Sequence, residues 1–100
     1  NAIKHESSLF LMPEGPIETW SCKSFESLTS KDFQQIAQKK PALVIFGSGK
    51  KIRFPKPELV APLSEAKRGI ETMDLQAACR TYNILMGEGR QVLAALILES

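Results

Sequence analysis

The fold is decided by the stretch Met73-Asp74-Leu75-Gln76-Ala77-Ala78-Cys79-Arg80-Thr81-Tyr82-Asn83. Asp74 is well placed to cap a helix, because its carboxylate accepts hydrogen bonds from the free N–H groups of the first turn. We therefore predict a helix from about Leu75 to Met86, which Gly87-Glu88-Gly89 ends. One stripe at helical spacing predicts its buried face; it consists of Leu75, Ala78, Cys79, Tyr82 and Met86.

Three apolar runs around this helix predict strands. Ile70 to Met73 leads directly into the helix, and Gln91 to Leu98 follows it. The run Leu43 to Phe46 is continuously apolar, which is typical of a parallel strand that is buried on both faces. Because the last run is apolar almost throughout, we expect it to be central in the sheet.

Two more helices are predicted between these strands and the N-terminal part. The first begins after Thr29, an N-cap residue with Asp32 in the capping-box position. The second is predicted from Pro57 to about Arg68, with Gly69 as its terminator. Pro62 lies inside it, so we expect a kink or an irregular first turn.

The N-terminal part predicts an antiparallel hairpin. Its strands are the runs His5 to Met12 and Ile17 to Lys23, separated by the turn cluster Pro13-Glu14-Gly15-Pro16. The order is then hairpin, helix, strand, helix, strand, helix, strand. This order predicts an α/β fold with a mostly parallel sheet flanked by helices. Residues 1–100 are long enough for a single domain.

Composition excludes few functions but does limit them. The chain is 43% hydrophobic and 24% charged with a formal net charge of +2, as expected of a globular protein. No run approaches the roughly 18 apolar residues of a membrane span. An acid-free segment from Phe33 to Pro57 holds basic residues that form either a solvated face or an anion site; they are Lys39, Lys40, Lys50, Lys51, Arg53 and Lys56. The segment lacks interleaved aromatic residues suited to base stacking, which argues against nucleic acid.

The residues offer little catalytic machinery. His5 is the only histidine and lies near a terminus, so a triad or a cysteine–histidine pair is not expected. Cys22 and Cys79 form no C-x-x-C pair, which favours free thiols in a reducing compartment over a disulfide. Cys79 is interpreted mainly as a packing residue, although Arg80 beside it could lower the pKa of its thiol. We predict no catalytic residue, metal site or cofactor; enzymatic activity stays open, with the residues weighing against it.

A candidate site follows from the position of the strand ends. Gly47-x-Gly49 matches neither the Walker A nor the Rossmann pattern, and its glycines could simply permit a turn with positive φ. However, ligands of open parallel sheets gather outside the carboxyl ends of the strands, here beside a helix N-terminus. We therefore predict a shallow polar pocket or docking surface made of Gly47, Ser48, Gly49, Arg53, Asp74, Arg80 and Asn83. The alternative for Arg80 is a structural ion pair with Asp74 or Glu71.

An ordered set of residues from about Ser8 to Ile97 also carries a family resemblance. Its motifs are Ser8-Leu9 through Pro13-x-Gly15, Trp20, Phe25-x-x-Leu28-Thr29, Leu43 through Gly47-x-Gly49, Arg53-Phe54-Pro55, Gly69-Ile70-Glu71-x-Met73-Asp74, Ala77 through Leu85, Glu88-Gly89-Arg90 and Ala94 through Ile97. The sequence resembles the small α/β proteins related to the mitochondrial respiratory complex I assembly factor 3. The form Arg80-Thr81-Tyr82-Asn83 is similar to that of the bacterial members.

The resemblance implies a three-layer α/β fold with a mixed central sheet and a hairpin packed beside it. It also implies that one strand runs against the rest, and we expect this to be the last strand. Family members usually have a further strand upstream, so the N-terminal strand of this chain is expected to be incomplete. The resemblance implies no established activity and no cofactor.

Two functions follow as expectations. The first is a non-enzymatic interaction or assembly factor for a respiratory or membrane complex, with a protein partner through which the chain could associate peripherally with a membrane. The alternative is a protein that binds a small molecule or anion in the pocket at the strand ends, either as an enzyme or as a binding protein without activity. The expected location is the cytoplasm, or the mitochondrial matrix for a eukaryotic chain.

Overall fold

The computed structural model describes residues 8–12, 17–20 and 24–98. The predicted turn cluster at residues 13–16, His5 and Cys22 lie outside these residues. The described strands are β1 (Ser8–Leu11), β2 (Glu18–Trp20), β3 (Leu43–Gly47), β4 (Gly69–Met73) and β5 (Val92–Leu96). The α-helices are α1 (Ser30–Gln38), α2 (Pro57–Glu65) and α3 (Leu75–Gly87), and a 3₁₀ turn spans Phe25–Ser27.

The strands form one mixed sheet in the order β2-β1-β5-β3-β4. β3 pairs in parallel with β4 and β5, whereas β1 pairs antiparallel with β2 and β5. The predicted α/β class, the hairpin and the central position of the last strand are therefore confirmed. The hairpin lies beside the parallel strands and extends their sheet.

The prediction that the last strand runs against the others is wrong. The reversed strand is β1, which opposes both of its neighbours. With 13 residues, α3 is about 20 Å long, enough to carry the chain back along a five-residue strand. The chain therefore starts β5 at the same end of the sheet as β3, and the two strands run in parallel.

The molecule has the three predicted layers, with α1 and α2 on one face of the sheet and α3 on the other. Alternation along the strands divides the core, because successive side chains point to opposite faces. Val44 and Phe46 pack under α1 and α2, while Ile45 packs under α3. On β5, Leu93 and Ala95 join the first cluster. The other buried residues of the first cluster are Phe10, Trp20, Leu28, Phe33, Ile36, Leu63 and Ile97; those of the second are Ala78, Tyr82, Val92, Ala94 and Leu96.

The start of α1 confirms the predicted cap. The Thr29 N–H donates to Asp32 Oδ2 at 2.8 Å, which satisfies a backbone donor that the helix leaves free. The Trp20 indole Nε1–H donates to Asp32 Oδ1 at 3.1 Å. One carboxylate thus joins the edge strand β2 to the first turn of α1.

The predicted end of α2 is wrong by three residues. The helix ends at Glu65, and Lys67 follows with a φ of 58° in the left-handed region. The Arg68 N–H donates to Leu63 O at 2.8 Å, and the Lys67 N–H donates to Ser64 O at 3.0 Å. These bonds form a Schellman motif in which a lysine takes the position that glycine usually fills. Gly69 is therefore not the terminator but the first residue of β4.

Gly47, the last residue of β3, allows α3 to approach the sheet closely. A Cβ atom at this position would lie 2.9 Å from Leu96 Cδ2 and 3.0 Å from Ala78 Cβ. Real side chains do not tolerate such distances without a shift of the neighbouring atoms. Gly47 is thus a packing residue of the strand rather than part of a flexible loop.

Candidate functional site

The loop after β3 is organised by the fully buried Ser48 side chain. Its Oγ–H donates to Lys51 O at 2.7 Å, and Met73 O lies 3.2 Å from the same Oγ. The Oγ also accepts the Arg53 N–H at 2.8 Å. A buried hydroxyl that donates to one backbone carbonyl and accepts from a backbone N–H fixes a loop conformation, so Ser48 organises this loop.

Gly49 connects this loop to the start of α3. It has a φ of 98°, which confirms for this residue that glycine permits the turn. The Leu75 N–H donates to Gly49 O at 2.7 Å, and the Ser48 N–H donates to Met73 O at 2.9 Å. The carboxyl ends of β3 and β4 are therefore adjacent, as the parallel sheet predicts.

Asp74 is the cap of α3, as predicted. Its Oδ1 accepts the Ala77 N–H at 2.8 Å. A cleft of about 420 Å³ opens beside it and is lined by Gly49, Lys50, Asp74, Leu75 and Gln76. The structure thus brings together Gly49 and Asp74 of the predicted site. Both Asp74, at the positive end of the helix dipole, and Lys50 thus border this cleft.

Arg53 lies at a second cleft, away from that of Asp74. Its Nη1 donates to Glu26 Oε2 at 3.0 Å and its Nη2 to Ser48 O at 3.1 Å. Its guanidinium carbon lies 4.7 Å from the centroid of the Phe25 ring, a cation–π distance. The second cleft, of about 430 Å³, is lined by Phe25, Glu26, Leu28, Arg53, Lys56 and Leu59.

Arg80 and Asn83 are exposed on the outer surface of α3 and line neither cleft. Within the described part of the chain, Arg80 forms no ion pair with Asp74 or Glu71, the alternative role predicted for it. The seven predicted residues therefore occupy three places: a fixed loop and helix start, a second cleft, and an exposed helix surface.

The predicted packing face of α3 is confirmed in most of its length. Ala78 and Tyr82 are buried, and Cys79 and Leu75 pack partly buried against the same cluster. Burial raises the pKa of the Tyr82 hydroxyl above its usual value. Met86 is the exception, since it is 40% exposed. The described residues contain no group of three or more His, Cys, Asp or Glu side chains placed to hold a metal ion.

Sequence reasoning missed several exposed apolar side chains. Phe54 is 71% exposed, Ile84 59% and Ile52 51%. The helical spacing of α3 could have indicated that Ile84 is exposed, because Ile84 lies outside the apolar stripe, next to Asn83. For Ile52 and Phe54 the only signal was their alternation with Arg53, which suits a strand equally well.

A solved structure with substantial sequence identity to this chain has the same fold. The chain is similar to a crystal structure of a Bordetella parapertussis protein, with a TM-score of 0.85 and 40% identity. The match covers 92% of this chain and 79% of that one.

Two curated relatives carry names that concern membranes or respiration. The chain is 28% identical over 72 residues to the "13 kDa major membrane protein" of Francisella tularensis, covering 72% of this chain and 58% of the relative. It is 28% identical over 89 residues to "NADH dehydrogenase [ubiquinone] 1 alpha subcomplex assembly factor 3" of Bos taurus, covering 87% of this chain. The chain spans only 48% of that second relative's length. No helix in residues 8–12, 17–20 and 24–98 has the length and apolar character needed to cross a bilayer.

A family model matches nearly the whole sequence. The match runs over residues 1–97, and the family is described as "Protein of unknown function (DUF498/DUF598)". The matched region contains every helix and strand of the sheet described above. The predicted resemblance to the complex I assembly factor 3 proteins is thus confirmed, and the chain belongs to the DUF498/DUF598 family.

Proposed function

We propose that this chain is a non-enzymatic protein-binding factor that assists the assembly of a respiratory or membrane complex. The observation that carries the proposal is the similarity to the bovine assembly factor over 87% of this chain. Because the chain spans about half of that relative, the activity of the whole relative transfers to it only as part of this proposal. The proposed location is the cytoplasm, or the mitochondrial matrix for a eukaryotic chain.

The outer face of α3 is the surface we assign to the protein partner. Arg80 and Asn83 are exposed there, and so is the apolar side chain of Ile84. These three residues lie within about a third of the helix circumference at 3.6 residues per turn. Arginine and exposed apolar groups in one patch are typical of protein interfaces, where the apolar groups bury area and the arginine adds directional hydrogen bonds.

In our proposal, four other predicted site residues hold α3 in position on the sheet. Gly47 lets α3 lie close to the sheet, and Asp74 caps its first turn. Ser48 and Gly49 fix the loop that holds the helix start. A helix held at its first turn and along its buried face presents its outer side chains in one arrangement, which lowers the entropy lost on binding.

The alternative is a small-molecule-binding protein that uses the cleft at Gly49 and Asp74. The cleft offers the Lys50 ammonium, the Asp74 carboxylate and the Gln76 amide on one concave surface. This set suits a ligand with both donors and acceptors better than a simple anion. A thermal shift with such a metabolite, abolished in Lys50→Ala and Gln76→Ala, would favour this alternative.

Affinity purification from native cells with quantitative mass spectrometry tests the proposal. We compare the wild type with Arg80→Ala and Ile84→Ser, using Lys31→Gln on the exposed side of α1 as the matched control. We expect a specific protein partner that is recovered with the wild type and the control and is depleted with both α3 variants. Recovery of no specific partner, or equal recovery with all variants, would contradict the proposed surface.

A further inference from the structure

The segment Lys50–Lys56 inverts the usual relation between burial and polarity. Ile52 is 51% exposed and Phe54 is 71% exposed, whereas Arg53 between them is partly buried. The Arg53 guanidinium lies over the Phe25 ring and bonds to Glu26 and to Ser48 O. Folding normally places apolar side chains inside and cations outside. Here the cation is partly buried, and its apolar neighbours are more exposed than it is.

The exposure of these side chains is a fixed feature of the loop. Ser48 Oγ bonds to backbone atoms of both Lys51 and Arg53, on either side of Ile52. Arg53 then anchors the middle of the segment to the 3₁₀ turn. Pro55 and Pro57 restrict the backbone that follows Phe54. Ile52 cannot turn inward without breaking these bonds. The loop therefore holds Ile52 and Phe54 at the surface, where a binding partner can contact them.

Exposed lysines flank the two apolar side chains. Lys50 and Lys51 precede them and Lys56 follows, all exposed to solvent. No acidic residue occurs from Phe33 to Pro57. The acidic groups that adjoin the segment are Glu26, which pairs with Arg53, Glu58 in the first turn of α2, and Asp74, which lines the same cleft as Lys50. The cations therefore outnumber the nearby carboxylates.

We infer that Lys50–Lys56 is a contact site for the surface of an anionic lipid bilayer. Aromatic and aliphatic tips enter the boundary between headgroups and acyl chains, while flanking lysines attract the negative headgroups. A bilayer covers apolar tips and lysines together without requiring a matching pocket. The segment is short, so the binding is peripheral, reversible and weakened by salt. This inference concerns a different surface from the outer face of α3 and does not rest on the proposed protein partner.

A protein segment seated in the neighbouring cleft is the competing occupant. That cleft is lined by Phe25, Leu28 and Leu59 together with Arg53 and Lys56. A peptide bound there needs the concave apolar wall, whereas a bilayer needs the exposed tips of Ile52 and Phe54. The two occupants are therefore separated by a test that contains lipid and no other protein.

Vesicle co-sedimentation of the purified chain provides this test. The vesicles contain phosphatidylcholine alone or phosphatidylcholine with phosphatidylglycerol, at low and at moderate salt. The variants are Ile52→Ser with Phe54→Ser, and Lys51→Gln with Lys56→Gln. The matched controls are Ile84→Ser, which alters an exposed isoleucine on α3, and Lys31→Gln, which alters an exposed lysine on α1. Thermal unfolding of each variant verifies that these exposed substitutions leave the fold intact.

We expect the wild type to bind vesicles with phosphatidylglycerol and to lose that binding as salt rises. The double serine variant should weaken binding about tenfold or more, since it removes two apolar groups from the lipid boundary. The double glutamine variant should weaken it by about fivefold for each lysine removed. Both controls should bind as the wild type does.

Three results would overturn the inference. They are no binding to phosphatidylglycerol vesicles at low salt, equal binding to neutral vesicles, and binding that the serine variant leaves unchanged. If the wild type binds no vesicles while a photo-reactive group at position 54 cross-links to a cellular protein, the segment is a protein-docking site instead. The partner recovery measured with Arg80→Ala is unaffected by any of these outcomes.

Discussion

The two faces of the sheet solve the same packing problem in different ways. Under α1 and α2 the core is thick and aromatic, with Phe46 within 6.4 Å, centroid to centroid, of the Trp20, Phe25 and Phe33 rings. Under α3 the contact depends on small residues, chiefly Gly47, Ala78 and Ala94. The first face is stabilised by the apolar area of large side chains, and the second by close approach of one helix. Substitutions that make a side chain smaller should therefore destabilise the first face most, and substitutions that make one larger should destabilise the second.

Phe46→Ala should have the largest effect, because it removes the ring that the other aromatics of the first face surround. We expect a loss of about 3–5 kcal/mol in the free energy of unfolding, measured by denaturant titration. Phe46→Leu retains most of the volume and should cost considerably less. A loss below about 1 kcal/mol for the alanine variant would show that the face repacks easily.

Gly47→Val tests the opposite failure on the α3 face. Its Cβ would meet Leu96 Cδ2 and the Ala78 Cβ at 3.0 Å or less, and the Ala78 Cβ has no rotamer that relieves the contact. We expect a loss of about 1–3 kcal/mol from this overpacking. The control is Gly87→Ala, since no atom lies within 4 Å of a Cβ built there. It should be neutral or stabilise the helix by up to about 1 kcal/mol. Equal effects at the two positions would refute the close approach.

Asp74→Ala should weaken the α3 face by an intermediate amount. The substitution removes the acceptor of the Ala77 N–H and leaves a backbone donor at the helix start without its partner. The expected cost is about 1 kcal/mol, read from the unfolding midpoint. Asp74→Asn retains an oxygen acceptor and should recover most of it. A cost shared equally by the asparagine variant would indicate that charge, not capping, is what Asp74 contributes.

Tyr82→Phe should have the smallest effect and reveal it only at alkaline pH. Burial raises the pKa of the Tyr82 hydroxyl, so the folded state holds this proton more tightly than the unfolded chain does. The stability that this proton contributes is fully present below the ordinary tyrosine pKa of about 10. It is lost as the pH rises through the pKa of Tyr82 in the folded state. The phenylalanine variant should therefore lose less stability between neutral pH and pH about 11. Parallel pH profiles of the two proteins would contradict the assignment.

Sequence predicted the elements well wherever a local pattern determines them. Three local signals correspond to structural features: the continuous apolar run of β3, the N-cap residues Thr29 and Asp74, and the Gly87–Gly89 break. The errors arise where distant parts of the chain decide. The direction of β5 relative to the other strands depends on its pairing with β1 and β3, which are distant in sequence, and the end of α2 depends on a lysine that adopts a backbone conformation more typical of glycine.

The candidate site was harder to predict than the fold, for a related reason. Spacing placed Ser48, Arg53 and Asp74 near strand ends, but it could not show which backbone groups their side chains would satisfy. Ser48 and Asp74 are hydrogen-bonded within the chain, whereas Arg80 and Asn83 are exposed. Exposure of an apolar side chain is a tertiary property, so the alternation of Ile52 and Phe54 with Arg53 could not show that Phe54 is exposed.

The bond between Trp20 and Asp32 gives the chain a built-in optical reporter. Trp20 is the only tryptophan, it is 1% exposed, and its indole N–H is held by the carboxylate that also caps α1. Detachment of the edge hairpin would expose the indole to water, shift its emission to longer wavelength and admit soluble quenchers. Emission from one native residue can therefore follow the sheet edge separately from α3.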